Sequence, residues 1–422
     1  PAIKDETMAT AWRWLSRLLM VLLALVALLA AIWTYGRWTS PTSAQHAAIA
    51  LMQQDEAVDA AAENGFPQMM ALPEAPGAFP PAVDCGNAAD NHCIATIEAT
   101  PEASAAALEP FRPNLEAAAR ALRAPVFRDQ RPVVSMGIDD VPSFQAVMQL
   151  DSLRALDFAA GNTAGALADA CTDALATVRW ATDPDTLLQG MIGIAAFRDQ
   201  AMLIADMRRR APADPLPPSC AALAEPPDAG TEGLLCAAMR GEWRYQQRAF
   251  PALEATMQDD EGDPWGRRMS ALGHDTDWML GQTARAFAPA CGDAAMQAAR
   301  EDRAVVLAAA EPRWVDYIAF PISVVLGDIA GPAYADYGER QLDFVAWRRV
   351  LAAALQMTTM DPALAPAQRF AALPAALRDG PRPLAFDEAS GTLHVPLRGR
   401  RSAAEGGEAR LPVRSIDPAP TP

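Results

Sequence analysis

Apolar positions dominate the start of the chain. Residues 18–33 read LLMVLLALVALLAAIW, sixteen positions without a charge. Extended to Leu15 and Tyr35, the run covers 21 positions, interrupted only by Ser16, Arg17 and Thr34. A bilayer core needs about 20 residues of helix, and an arginine near its edge can reach the headgroups along its own aliphatic stem. Trp12 and Trp14 stand before the run and Trp33, Tyr35 and Trp38 after it, as in the aromatic belts of spanning helices. Residues 15–35 are therefore expected to form a transmembrane anchor in contact with the lipid bilayer. Trp12, Trp14, Arg17, Trp33, Tyr35 and Trp38 are expected at its interfaces. Lys4, Arg13 and Arg17 precede the span, Arg37 follows it, and the next cation is Arg112. That asymmetry keeps residues 1–14 in the cytoplasm and exports the rest. The competing reading is a cleaved signal peptide, with Thr42-Ser43-Ala44 as the processing site.

Beyond the anchor the period of the apolar positions becomes helical. Residues 36–82 read as a juxtamembrane linker: 44–62 suits a helix, and Pro67, Pro73, Pro76, Pro80 and Pro81 make the remainder irregular. The body, 83–380, is expected to be helical almost throughout. Segment 142–160 carries Val147, Leu150, Leu153 and Leu156 at helical spacing and breaks at Gly161-Asn162. Thr163 can cap a second helix with a stripe of Leu167, Cys171, Ala174, Leu175 and Val178. Asp183-Pro184 can open a third, which ends in Arg208-Arg209-Arg210, cations suited to a helix C-terminus.

Further helices are expected over 101–108, 113–122, 233–250, 278–286 and 293–310. Stretch 314–337 is the most apolar of the body, but Asp316 and Asp328 argue against a second span. An amphipathic helix over 334–357 can cover it. Near the end the period changes to two: Leu384-Ala385-Phe386 and Leu393-His394-Val395 flank a Glu388–Gly391 turn, predicting a β-hairpin over 381–398. Residues 399–422 are expected to be a mobile tail. The fold class expected is mainly α: an N-terminal transmembrane helix, an array of antiparallel helical hairpins and a small C-terminal β-hairpin.

Composition adds three constraints. Half of the 422 residues are apolar and 21% are charged, enough for a large core. A net charge of −17 argues against nucleic acid, whose phosphates require a dense basic surface. Lys4 is the sole lysine among 35 basic residues, a bias explained by a GC-rich genome as readily as by function. Six cysteines lie on the exported side, an even number that permits three disulfides in an oxidising compartment. Cys85 with Cys93 and Cys220 with Cys236 are the candidate pairs. Cys171 and Cys291 fall in helical patterns, where a buried thiol is as plausible as a bond.

The chemistry-bearing strings are few. The GxSxG, HExxH, Walker A and GxGxxG strings and the CxxC motif do not occur. Gly273-His274-Asp275 contains the His-Asp pair used by one phosphohydrolase class, but a capping aspartate beside a surface histidine explains it. Asp259-Asp260-Glu261-Gly262-Asp263 lacks the ligand spacing of an EF-hand and reads as a solvated acidic loop. Glu242, with Trp243, Arg244 and Tyr245, would suit a polar pocket, although a solvated helix face is the simpler reading. Met69-Met70 and Trp347-Arg348 read as core packing. No cofactor and no metal is expected.

Two resemblances bear on this picture. The turn Ala159-Ala160-Gly161-Asn162 followed by Ala166-Leu167 resembles the inter-helix turn of a tetratricopeptide repeat, which implies helical hairpins. Glu63-Asn64-Gly65-Phe66, the Cys85/Cys93 loop and Gly327–Pro332 followed by Tyr334 and Tyr337 resemble an uncharacterised group of membrane-anchored periplasmic helical proteins of Gram-negative bacteria. That resemblance implies a single-pass inner-membrane protein with a periplasmic body, and it implies no activity. The expected function is protein–protein binding in the periplasm, as an envelope scaffold, assembly factor or inhibitor. The alternatives are a glycan or peptidoglycan hydrolase using a carboxylate pair, and an immunity protein against a periplasmic toxin.

Overall fold

The computed structural model describes residues 2–54, 62–85, 93–134, 141–227, 233–258, 264–330, 334, 336–399 and 407–414. Nothing in the first segment breaks a helix, and α1 (Ala2–Trp38) runs 37 residues, about 55 Å at 1.5 Å per residue. Its apolar side chains face outward, with Leu18 and Val21 each 69% exposed. Among the described residues one helical stretch, beginning at Trp12, is long and apolar enough to cross a membrane; a signal sequence would pass the same test. The chain turns at Ser40-Pro41, and Thr42 opens α2 (Ser43–Met52) with a complete capping box. Thr42 Oγ1 accepts from the Gln45 amide at 3.2 Å, and Gln45 Oε1 accepts from the Thr42 amide at 2.6 Å.

The first layer of the body comprises α3 (Gly65–Met70), α4 (Cys93–Ala99), α5 (Pro101–Leu108), α6 (Arg112–Arg123), α7 (Gln145–Met148) and α8 (Leu150–Ala159). A long hairpin follows, α9 (Thr163–Thr182) and α10 (Leu187–Arg210), then α11 (Pro218–Ala224), α12 (Leu234–Gln258), α13 (Pro264–Gly273) and α14 (Thr276–Phe287). After these come α15 (Asp293–Arg300), α16 (Asp316–Ala319), α17 (Pro321–Ala330), α18 (Tyr337–Thr359), α19 (Pro366–Ala371) and α20 (Ala375–Arg378). The last described elements form an antiparallel sheet of β1 (Ala385–Asp387), β2 (Thr392–Pro396) and β3 (Glu408–Pro412). The protein is mainly α, as the periodicity predicts.

The largest core forms around α10, which packs on α9 and on α18; α18 is buried on most of its circumference rather than along one stripe. Phe127, Phe144 and Trp180 meet within it, with Phe127 and Trp180 centroids 4.4 Å apart. A second cluster gathers Met52, Leu187, Trp243, Phe287, Leu307 and Tyr337. A third, smaller one joins Phe250, Trp278, Met279, Ala319, Phe320 and Val324.

Several expectations need correction. Segment 36–82 is not simply a linker: α2 buries Gln45, Ala48 and Met52 against α14, and Asn64 bridges to Val126 beside α6. Its apolar residues are sufficient to dock it. Thr186, not Asp183, caps α10, its hydroxyl accepting from the Gln189 amide at 3.1 Å. Thr163 is not the cap of α9; its hydroxyl donates to Asp214 Oδ2 at 2.8 Å. Helix does not continue over 301–310. Asp302 adopts φ +54°, and its carboxylate receives Arg382 at 2.7 Å and Arg398 at 3.0 Å, which holds the chain out of helical register. The tail contributes a third strand, because Ala409 and Leu411 point inward and pair with Val395 and Leu393 of β2.

The arginine bias is put to structural use. Asp173, 1% exposed in its side chain, receives Arg123 Nε at 2.6 Å and Arg154 Nε at 2.8 Å. Asp185 collects Arg248 and the Asp129 amide, and Asp343 takes Arg382 with the amides of Arg398 and Gly399. Such planar, permanently charged donors can satisfy a buried carboxylate from two sides.

The cysteines pair as Cys85–Cys93, Cys171–Cys220 and Cys236–Cys291. The expected Cys220–Cys236 pair is therefore wrong. Nearness in sequence was a poor guide, because Cys220 lies against α9 and Cys236 against the turn after α14. The two long-range bonds close loops of 49 and 55 residues. Peptide mapping without reduction should recover these two linkages and no Cys220–Cys236 peptide. Replacing either pair by serine should cost roughly 2–5 kcal/mol in urea unfolding. Recovery of a 220–236 linkage would refute this arrangement.

Candidate functional site at the foot of the N-terminal helix

The last carbonyls of any helix lack partners inside it. At the foot of α1 they meet a cation from the body. Arg313 donates to Gly36 O at 3.4 Å and to Thr39 O and Oγ1 at 3.4 and 3.1 Å, while Asp316 holds its guanidinium at 2.7 Å. Arg37 does the converse. It donates to Leu272 O and His274 O, both at 3.0 Å, at the end of α13, and approaches Asp275 Oδ2 at 3.4 Å. Its plane lies 4.8 Å from the Trp33 ring and 5.3 Å from Phe320. Trp33 Nε1 also donates to Leu272 O at 3.2 Å. Gly36 sits directly on Ala319, where an added Cβ would come within 2.6 Å of the alanine methyl. Only glycine permits this approach.

Beside this join, α12, α14, α17 and segment 307–312 enclose a cavity of about 310 Å³ whose wall is overwhelmingly apolar. Glu242, Gln246 and Phe250 recur every four residues on α12, so one helix face supplies both its polar and its apolar wall. Trp278, Met279 and Val324 continue the apolar side. Trp278 stacks on Phe320 at 5.3 Å, and Ser323 Oγ accepts from the Asp275 amide at 3.0 Å. The wall and the join with α1 thus share their neighbours.

The polar side is a closed triad. Tyr334 donates to Glu242 Oε1 at 3.2 Å, Gln246 Nε2 donates to Tyr334 Oη at 2.9 Å and to Glu242 Oε1 at 3.3 Å, and the Leu187 amide donates to Glu242 Oε2 at 3.0 Å. Burial pushes the Glu242 carboxyl above its ordinary range, and the three donors offset this only in part. Burial and the neighbouring Glu242 carboxylate raise the Tyr334 phenol as well. Gln246 is 7% exposed, and its Oε1 has no hydrogen-bond partner. No arginine, lysine or histidine lies in the cavity wall among the described residues. A second hollow, about 330 Å³ between Met69, Phe111 and Gln149, has a mixed wall and no such unpartnered acceptor among the described residues.

Of the residues singled out by sequence, Glu242 and Tyr245 line the cavity. Trp243 turns into the second core cluster and donates to Leu280 O at 3.2 Å, and Arg244 faces Asp185 at 3.9 Å. His274 is buried rather than at the surface, its nitrogens 3.4 Å from Ser323 Oγ and 3.5 Å from Thr276 Oγ1; burial lowers its pKa. Asp275 caps α14, accepting from the Trp278 amide at 2.8 Å. Met69 is core and Met70 is partly exposed, while Trp347 is buried and Arg348 lies 5.9 Å over Phe344. The acidic loop 259–263 lies outside the described residues. Of the interface residues, Trp33 and Trp38 flank the join and Trp12, Trp14, Arg17 and Tyr35 lie along the exposed helix. Among the described residues no group of three His, Cys, Asp or Glu side chains is placed to hold a metal ion.

The sequence did not bring Tyr334 to Glu242, 92 positions away, or Arg37 to Leu272. The spacing of Glu242 and Gln246, one helical turn apart, was the available signal. Comparison with protein-family models, curated proteins and solved structures finds no match to the chain.

A carboxyl with a raised folded pKa binds more protons in the folded chain than in the unfolded one. Its contribution is complete below the unfolded value, near 4.5, and falls as pH rises through the folded value. Glu242→Gln cannot ionise, so the variant should gain on the parent across that window. The gain is up to roughly 1.4 kcal/mol for each unit of elevation. Urea unfolding of both proteins at several pH values between 4 and 8 checks this. A pH-independent difference would contradict the burial of this acid.

Proposed function

We propose that this chain is a single-pass membrane protein, its N-terminus in the cytoplasm and its body in the periplasm, that acts by binding. The observation that carries this is the join between α1 and the body. A leader destined for removal has no need to exchange arginines with the mature domain, yet Arg37 reaches α13 and Arg313 reaches the foot of α1. Cleavage at Thr42-Ser43-Ala44 would remove that contact and the cap of α2 together. An oxidising compartment agrees with three disulfides.

Exposed aromatics surround the foot of α1. Trp38 is 84% exposed, Trp314 68% and Tyr317 55%, with Leu272 beside them. Amphipathic rings at this level belong in the headgroup region. The body would then rest on the bilayer in one orientation and present its remaining surface to a protein partner. The chain's net charge of −17 favours a partner with a basic face.

A glycan hydrolase is the competing reading, because the cavity holds Glu242 in its wall and Asp328 at its exposed rim. A sugar, however, presents hydroxyls all round and needs a wall rich in hydrogen-bonding groups. This wall answers chiefly with carbon. Binding is the better account.

The topology is tested on intact cells. The purified chain should retain residues 12–38 by intact mass and stay in carbonate-washed membranes. A C-terminal reporter that requires disulfides should be active. A mature chain beginning after residue 38, or a reporter active only in the cytosol, would defeat the reading.

A further inference from the structure

We propose that the cavity between α12, α14 and α17 holds one single-chain amphiphile, an acyl or alkyl chain with an uncharged, hydrogen-bond-donating head, drawn from the adjoining leaflet. The source of the ligand rests on the membrane reading above; its chemistry rests on the cavity alone.

Three observations select that ligand. The first is size. About 310 Å³ is room for roughly ten water-sized groups at ~30 Å³ each, which suits one medium-length chain better than the two chains of a phospholipid. The second is the polar corner. Glu242 and Tyr334 line the cavity and stay partly exposed, so a hydroxyl delivered by a ligand meets oxygen acceptors there. The third is charge. With Glu242 beside it and no cation in the wall among the described residues, an anionic head would enter unpaired and desolvated. A hydroxyl head avoids that cost.

The polarity of the cavity also has a direction. Phe250 belongs to the cluster containing Ala319 and Phe320, which touch Gly36 and Arg37 at the foot of α1. Glu242 is eight residues earlier on α12, about 12 Å further along the axis. The apolar end therefore lies toward the foot of α1 and the hydrogen-bonding end away from it. A lipid in the periplasmic leaflet is oriented the same way, tail toward the bilayer and head toward the compartment. Such a ligand can rise into the cavity without turning over.

The test uses the full chain in phosphatidylcholine nanodiscs containing a monoacylglycerol with a photoreactive diazirine in its chain. Irradiation and peptide mapping should place label on peptides carrying Phe250, Met279 and Val324 as well as on α1. Excess unlabelled monoacylglycerol should reduce the cavity label about tenfold and leave the α1 label, which reports bulk lipid, nearly unchanged. Ala286→Leu fills the cavity from α14, and Ala309→Phe narrows it from an exposed position of segment 307–312. Either should lower cavity labelling about tenfold.

Glu242→Leu should remove the preference for the hydroxyl head over its methyl ether, a preference of about fivefold in the parent. Label confined to α1, cavity label that unlabelled ligand does not displace, or equal labelling by a fatty-acid probe at pH 8 would each overturn the proposal. Failure of the membrane reading would show differently. The α1 peptides would be missing from the mature chain, while competition at the cavity would still report on the ligand.

Discussion

A helix that is apolar on every side cannot hold a folded domain by its flanks, so the connection depends on its end. Here two helix C-termini, those of α1 and α13, come together, each carrying partial negative charge on unsatisfied carbonyls. Left alone they would repel. Arg37 and Arg313 lie between them, each donating to the carbonyls of the other segment and each held by an aspartate. Those aspartates have second duties. Asp275 caps α14, and Asp316 opens α16, the helix on which Gly36 rests. Carbonyls, guanidinium groups and carboxylates thus form a polar ring around the one close backbone approach between α1 and the body.

That ring determines what can form next to it. Arg37 spreads its plane over Phe320, Phe320 stacks on Trp278, and Trp278 is held at the N-terminus of α14 by Asp275. The third hydrophobic cluster exists because these aromatics are fixed there. The cavity begins where that cluster stops filling the space between α12 and α17. Positioning of α1 and shaping of the cavity are consequences of the same few contacts, which couples the foot of the helix to the hollow without any moving part.

What could be read from the sequence was what depends on local pattern. The apolar run of 15–35, the α9–α10 hairpin and the alternation at 384–397 each announce themselves within one window, and each is present. What could not be read depends on pairs far apart. Cys220 prefers Cys171 to the nearer Cys236 because helix packing, not loop length, sets the distance between sulfurs. Segment 301–310 has helical composition, but the two arginines that hold Asp302 in a left-handed turn arrive from residues 382 and 398. The site was half visible: Glu242 stood out as an acid among aromatics, while Tyr334, the Gln246 acceptor and the arginine exchange required the fold.

The protein's treatment of buried carboxylates makes the cavity distinctive. Asp129, Asp173, Asp185, Asp206, Asp302, Asp316 and Asp343 each pair with at least one arginine. Asp151 and Glu242 are handled otherwise. Asp151 is buried in the main core, where burial and the nearby Asp199 and Asp173 drive its pKa well up. Glu242 also has its pKa raised, but it faces a hollow and shares that wall with the partly exposed Tyr334. This hydrogen-bonding corner, with no cation among the described wall residues, stays open beside the aromatic cluster that meets the foot of α1. That combination is costly to maintain for packing alone. It is economical if something that brings its own donor and its own hydrocarbon completes it.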